Sequence, residues 1–339
     1  VGKEKELTLK CPSLPLRNIP SEVVTIHKPV KRIVVMRLYE TDVLRVLNAA
    51  DKIVGIRQSI KNEEVYYPEI SKLPSVGSWR KLDYEAILSL NPDSIIHWGE
   101  PGWKEKYEEK LPGVTPIVLG LGYPEYYAEA VIQLGYILNK RTEAEEYINW
   151  HEGYLNKIKS RTEGLSEDDK PRVFNWAFFK PGEKYRTCKE DNIHQMCVVA
   201  GGKDIVDDIE ASGCPTVDPE WVVEQNPDII IALALAAYIS DGYGTDDPSE
   251  MAAAREDILS RLELGDVNAV ETGSVYMMNF NAVAGSGCLI GTAYMAKLFH
   301  PDLFEDLDPE AIHQEYMELQ HFDFNVYEHG VFIYPPVED

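Results

Sequence analysis

Short apolar runs recur along the chain, each bounded by charged or turn-forming residues, and helical spacing fills the intervals. In the first half Ile33-Val34-Val35-Met36 follows Arg32, Ile53-Val54-Gly55-Ile56 follows Lys52, and Ile117-Val118-Leu119 sits between Pro116 and Gly120. Apolar runs of this length, closed by breakers, predict buried strands. Apolar residues at helical spacing over 41–48 and 84–90 predict helices between them. In the second half strands are predicted over 172–179, 228–233 and 274–278, with helices over 191–200, 219–225, 248–262 and 290–298. Alternating strands and helices predict parallel sheets covered by helices, an α/β fold.

The pattern repeats itself. Residues 82–96, LDYEAILSLNPDSII, match residues 217–231, VDPEWVVEQNPDIII, in register without a gap. Asp, Glu, Asn-Pro-Asp and Ile-Ile recur at the same places. Asp83 and Asp218 are candidate helix N-caps, and Glu85 and Glu220 fall in the first turn, facing the positive end of the helix. Asn-Pro then stops the helix, and the Asp introduces a short buried strand, 94–98 or 229–233. Two copies this far apart imply two lobes of one α/β type.

Between the halves, 124–139 predicts a helix with Tyr127, Val131, Leu134 and Leu138 on one face. A more polar helix over 142–161 follows. About 20 helical residues span roughly 30 Å, enough for a stiff strut; a Gly-Ser tether would have predicted independent beads. The expected division is therefore an N-terminal lobe over 1–139, a connecting helix over 140–165 and a C-terminal lobe over 166–339.

Composition agrees with packed lobes, since 44% of the 339 residues are hydrophobic. The formal net charge is −24, from 57 acidic against 33 basic residues. A surface this negative repels phosphate backbones and anionic headgroups, so nucleic acid is not an expected partner. The chain opens on charged residues with no apolar run that would serve as an export signal, so any such signal is expected to have been removed. A monomer is expected. Cys11, Cys188, Cys197, Cys214 and Cys288 make an odd set. One disulfide among Cys188, Cys197 and Cys214 suits an exported chain, and buried free thiols are the alternative.

Open α/β lobes bind ligands beyond the carboxyl ends of their strands. Residues just past the predicted strands give the candidates: Arg37, Tyr39, Trp79, Arg80, Trp98 and Tyr123 in the first lobe, and Trp176, Tyr185, Arg186, Asn279 and Asn281 in the second. Flat aromatics mixed with guanidiniums suit a large planar or anionic ligand, through stacking and bidentate hydrogen bonds. Trp176 lies inside a strand and reads equally as core, and His97 reads as a core histidine.

Other signals carry less. Gly285-Ser-Gly287-Cys-Leu-Ile-Gly291 has GxGxxxG spacing and lacks a suitably placed acid for a dinucleotide. Cys188, His194, Cys197 and Cys214 match no common zinc spacing. No metal ligands, resident cofactor or catalytic constellation are expected, and hence no enzyme.

Several segments together resemble the metal-chelate substrate-binding proteins of ABC importers, the family that includes cobalamin-binding and ferric-siderophore-binding proteins. They are 23–36, 73–77, 83–98, 172–179, 218–232 and 268–276, with a tail over 299–313 similar to the longer members. The resemblance implies two Rossmann-like lobes with parallel sheets, joined by one long rigid helix, with ligand in the cleft between them. It implies that Glu85 and Glu220 dock onto basic residues of the permease. It implies an extracytoplasmic protein, periplasmic or at the cell surface, meeting the membrane only through a removed anchor or the permease.

The expected cargo is an iron-siderophore-type chelate, because Arg37, Arg80 and Arg186 complement a negative complex. A corrinoid such as cobalamin, or haem, is the alternative in the same role, favoured by the tryptophans. A metallocofactor enzyme of chelatase or nitrogenase-component type is the alternative of another class, and Cys188, His194 and Cys197 are its only support. A nucleotide-dependent oxidoreductase would rest on the late glycines alone.

Overall fold

The two copies of the repeated segment fold alike, each within its own α/β unit. The computed structural model describes residues 5–13, 19–28, 30–78, 80–182, 184–189, 192–210, 213–235 and 238–337. One unit comprises Val1–Trp150 and Met317–Phe322, the other His151–Tyr316 and Asp323–Asp339. In the first, Ile53–Ile56, Ile33–Val35, Ser94–His97 and Thr115–Val118 lie side by side in that order, all parallel. In the second, Lys203–Asp204, Arg172–Phe179, Ile229–Ala234 and Val275–Asn279 repeat the arrangement, and Ile333–Tyr334 adds an antiparallel edge. Parallel neighbours require crossover connections, which the helices supply.

The repeated motif earns its recurrence at the amino ends of these strands. The helices Tyr84–Ser89 and Pro219–Gln225 are followed by Asn91 and Asn226, with φ of 47° and 43°. Asn tolerates this left-handed conformation better than other residues with a Cβ, and the proline behind it cannot continue the helix. The aspartate then ties the new strand to its neighbour. Asp93 Oδ2 accepts from the backbone N–H groups of Lys31 and Arg32, at 2.6 and 2.9 Å. Asp228 Oδ2 accepts from Arg172 N–H at 2.9 Å. The same two arginines cap the helix ends: Arg32 donates to the Leu90 carbonyl at 2.7 Å and Arg172 to that of Gln225 at 2.9 Å. One clamp, made twice, satisfies carbonyls that a helix end leaves orphaned. The copies differ at the N-cap, where Asp83 accepts from Ala86 N–H at 2.9 Å and Asp218 makes no side-chain cap.

The first predicted helix starts earlier than expected. It runs Leu38–Val46, after an extended Arg37, and Thr41 lies inside its first turn with its hydroxyl donating to the Arg37 carbonyl at 2.9 Å. After Pro124–Leu138, the 22-residue helix Arg141–Thr162 carries the chain from one unit into the other, and the division falls between Trp150 and His151. Elements not foreseen include the helices Trp103–Lys110 and Pro309–Leu319 and the edge strand Lys203–Asp204. Lys5–Cys11 pairs antiparallel with Glu22–Lys28. The segment Met317–Phe322 belongs to the first unit: the Phe322 ring lies 4.7 Å from the Arg45 guanidinium, and Gln320 donates to the Tyr66 hydroxyl at 2.7 Å.

Cys188 and Cys214 form a disulfide, while Cys11, Cys197 and Cys288 are buried thiols. The late glycines form a tight turn, Gly285–Gly287, into the buried helix Cys288–Phe299. A Cβ on Gly287 would collide with the Ala282 carbonyl, so close packing explains that glycine. Among the described residues no helix is long and apolar enough to cross a membrane.

Candidate functional site

With the clamps at the amino ends, the loops beyond the carboxyl ends are free to carry chemistry. In the first unit they bring Arg37, Tyr39 and the loop before Tyr123 together. Arg37 lies two residues past the inner strand Ile33–Val35, and its guanidinium carbon stands 5.6 Å from the Tyr39 ring centroid. Gly122 lies against both: a Cβ there would sit 3.2 Å from Arg37 Nη1 and 3.4 Å from the Tyr39 ring. Glycine is what lets this loop close over the pair. Tyr123 leads into Pro124–Leu138, its ring edge-on to Tyr126 at 6.4 Å.

Two further groups join them. Arg57 follows the neighbouring strand Ile53–Ile56, partly buried, with Nε donating to Ser59 Oγ at 2.8 Å. Glu40 lies one residue past Tyr39 and is only 1% exposed. Burial pushes the Glu40 carboxyl up to about 7, against the pull of Arg37 and Arg57. Burial lowers the Arg57 pKa, with Glu40 opposing and Arg37 reinforcing the shift. The charges of Arg37, Arg57 and Glu40 are therefore felt in one neighbourhood.

His97 is fully buried, stacked on Tyr107 at 4.2 Å, with Nδ1 accepting from Gly99 N–H at 3.1 Å. Burial, helped by the Arg37 and Lys106 charges, drives its pKa down to about 3, so it is a neutral packing residue. Trp98, beside it, is half-buried. Trp79 lies outside the described residues. Arg80 is exposed, in the turn between the two-residue strands Gly77–Ser78 and Lys81–Leu82.

In the second unit several expected ligand contacts turn out to be framework. Trp176, 1% exposed, sits in the core with its ring stacked on Tyr185 at 4.3 Å and edge-on to Phe179 at 5.0 Å. Its strand is covered on both faces, so the side chain points into packing. Tyr185 is buried beside it and donates its hydroxyl to Glu263 at 2.9 Å. Asn279 is buried, and its Oδ1 caps the short helix Phe280–Val283 by accepting from Ala282 N–H at 2.7 Å. Arg186 is exposed and Asn281 half-buried. Beyond two adjacent central strands lie Lys180 and Tyr238, with the ammonium 4.7 Å from the ring centroid of a tyrosine that is 51% exposed.

Glu85 and Glu220 occupy matching first-turn positions and are both exposed. The disulfide consumes two of the thiols in the cysteine–histidine set, and His194 instead faces Asp204 at 3.2 Å. Arg57, Lys180 and Tyr238 obey the strand-end rule that yielded Arg37 and could have been found by applying it to every strand. Glu40 could not, because its burial is a tertiary property.

Two α/β units of equal strand order, with chemistry gathered beyond the strand ends, define a two-unit solute-binding architecture. The sequence profile described as "Periplasmic binding protein" matches residues 33–282, and the chain belongs to that family. It is 24% identical over 289 residues to an uncharacterized ABC transporter substrate-binding lipoprotein, YvrC, of Bacillus subtilis, covering 84% of each chain. It is 21% identical over 284 residues to the petrobactin-binding protein YclQ of Bacillus subtilis, covering 82% of this chain and 81% of that one. In fold it is similar to the TroA-like periplasmic binding protein FepB from Veillonella parvula, with a TM-score of 0.76 at 21% identity, covering 96% of this chain and 98% of that one.

Proposed function

We propose that this chain is the extracytoplasmic solute-binding component of an ABC importer, acting as a monomer that captures an anionic, ferric-siderophore-type chelate without turnover. The observation that carries the reading is Arg37 standing over the Tyr39 ring beyond the strand ends of the first unit, with Arg57 following the neighbouring strand and within reach of their charges. Two guanidiniums beside an aromatic ring offer forked donors and a flat face to an oxygen-rich anion. On a chain of net charge −24 such a local positive site selects its anion, because the remaining surface repels it. Arg80 and Arg186, both exposed, are further contacts under this reading, as are Trp79, Trp98, Tyr123 and Asn281. Similarity to a petrobactin-binding protein supports it.

The test is a tryptophan-fluorescence titration with ferric chelates, cyanocobalamin and haem. Saturable binding of an anionic ferric chelate is expected, and Arg37→Ala should weaken it about 10- to 100-fold, the loss of about 1.5–3 kcal/mol typical of a charged hydrogen bond. Tight cobalamin binding that is indifferent to Arg37→Ala would replace this reading with the corrinoid one.

Under the same proposal Glu85 and Glu220 dock to basic residues of the permease. Glu85→Lys with Glu220→Lys should leave chelate affinity within about twofold, since neither is among the expected ligand contacts, yet lower uptake at least about tenfold in cells carrying the cognate permease. Unchanged uptake would leave the two glutamates as dipole partners of their helices and nothing more.

A further inference from the structure

We propose that Glu40 is the charge-selecting residue of the first unit: it is the buried counter-charge to Arg37 and Arg57, and an anion that engages the two guanidiniums draws a proton onto it. The inference rests on the reading that the Arg37 cluster receives an anionic ligand. Glu40 lies in the first turn of Leu38–Val46, directly behind the strand-end loop that holds Arg37. It is 1% exposed, and its Oε2 has no hydrogen-bond partner among the described residues. A carboxylate in that position has given up water without regaining full hydrogen bonding, so its ionised form rests on the Arg37 charge, its own backbone N–H and the Arg57 charge.

The groups that act on it are few. Arg37 and Asp42 come from its own helix and N-cap, and Arg57 from the loop after Ile53–Ile56. Arg37 and Arg57 favour the charge, while Asp42, which accepts from the Tyr67 hydroxyl at 2.5 Å, opposes it. His97 also feels Arg37 but stays neutral and does not compete for the proton. With its pKa already raised to about 7, Glu40 is part ionised near neutrality.

The sign follows from linkage. A bound anion takes up the attraction of the guanidiniums and adds its own repulsion, so the Glu40 pKa rises further in the complex. The complex then holds more protons than the free protein, and anion affinity increases as pH falls through the region near 7. Well below that region Glu40 is protonated in both states and the dependence flattens. A neutral ligand of similar size leaves the balance of charge unaltered. Glu40 would thereby discriminate by ligand charge, a task different from supplying contacts.

The experiment is calorimetric titration of the full chain near pH 7.5 in buffers of different ionisation enthalpy. Its probes are a ferric tris(catecholate) complex and an uncharged ferric trihydroxamate. Expected is uptake of a sizeable fraction of one proton, up to about one, with the tris(catecholate), and about zero with the trihydroxamate. Affinity for the anion should fall about three- to tenfold from about pH 6.5 to about pH 8, and Glu40→Gln should remove both the slope and the uptake. Glu40→Asp, which keeps an acid there, should retain the uptake, so the outcome does not depend on the amide variant folding. A flat pH profile for tris(catecholate) binding, or uptake that persists in Glu40→Gln, overturns the role of Glu40 while leaving the chelate reading intact. Failure of both chelates to bind overturns the chelate reading and this inference together.

Discussion

Replacing Trp176 by alanine should destabilise the second unit by about 3–5 kcal/mol, the cost of emptying a large aromatic site in a packed core. Trp176 is among the largest fully buried side chains, and Phe174, Phe179, Tyr185 and Arg261 lean on it. Tyr185 stacks on one face, Phe179 meets it edge-on, and the Arg261 guanidinium stands 4.9 Å from its ring. Arg261 is held in turn by Asp257, at 2.8 Å. Collapse into the vacated space would have to drag the Tyr185–Glu263 hydrogen bond and this ion pair along, so little relaxation is available. Trp176→Phe keeps most of the packing and should cost less than half as much, by about 1–2 kcal/mol. Chemical denaturation followed by far-UV circular dichroism measures both. A Trp176→Ala protein as stable as the parent, but unable to bind chelate, would return Trp176 to the ligand site.

Severing the Cys188–Cys214 bond should cost nearly as much. The bridge spans a sequence separation of 26, and closing a loop of that length restricts the unfolded chain by about 3.5 kcal/mol. The enclosed segment holds the helix Asn192–Val199 and the edge strand Lys203–Asp204. Its two ends flank the paired strands Tyr185–Arg186 and Thr216–Val217, and the latter leads straight into Pro219–Gln225 with Glu220 in its first turn. The paired replacement Cys188→Ser, Cys214→Ser should lower the denaturation midpoint and make it indifferent to dithiothreitol, while the parent loses stability only when reduced. Equal midpoints for the parent with and without reductant would show that the cross-link stabilises nothing. A bridge of this kind persists in an oxidising compartment, in keeping with the extracytoplasmic role proposed.

The duplicated segment was legible because its Asn-Pro-Asp residues each have a local duty. Asparagine takes the left-handed turn, proline stops the helix and aspartate receives the neighbouring strand's N–H groups, so identity at those places reports geometry directly. Arg37 and Tyr39 were legible because strand ends can be read from apolar runs. Trp176 was not, because Val173 to Ala177 are all buried and a strand covered on both faces shows no inside–outside alternation. Helix Trp103–Lys110 escaped notice because WKEKYEEK is mostly charged and buries only Trp103 and Tyr107, one turn apart. Glu40 offers the clearest limit. Its letter suggests a solvated first-turn acid, and only the folded surroundings that leave it 1% exposed within reach of the Arg37 and Arg57 charges turn it into a buried acid.

The two arginine–aspartate clamps have a practical corollary for engineering. Because the residues that lock helix to strand gather at the amino margin of each sheet, the carboxyl rim of the first unit carries less of the scaffold. Substitutions at Tyr123 therefore risk less of the architecture than substitutions at Arg37 or Arg57, whose loss would leave the buried Glu40 uncompensated, and libraries built around Tyr123 could retarget the receptor to new cargo. Libraries built around Asp93 or Asp228 would sample collapse before they sampled specificity.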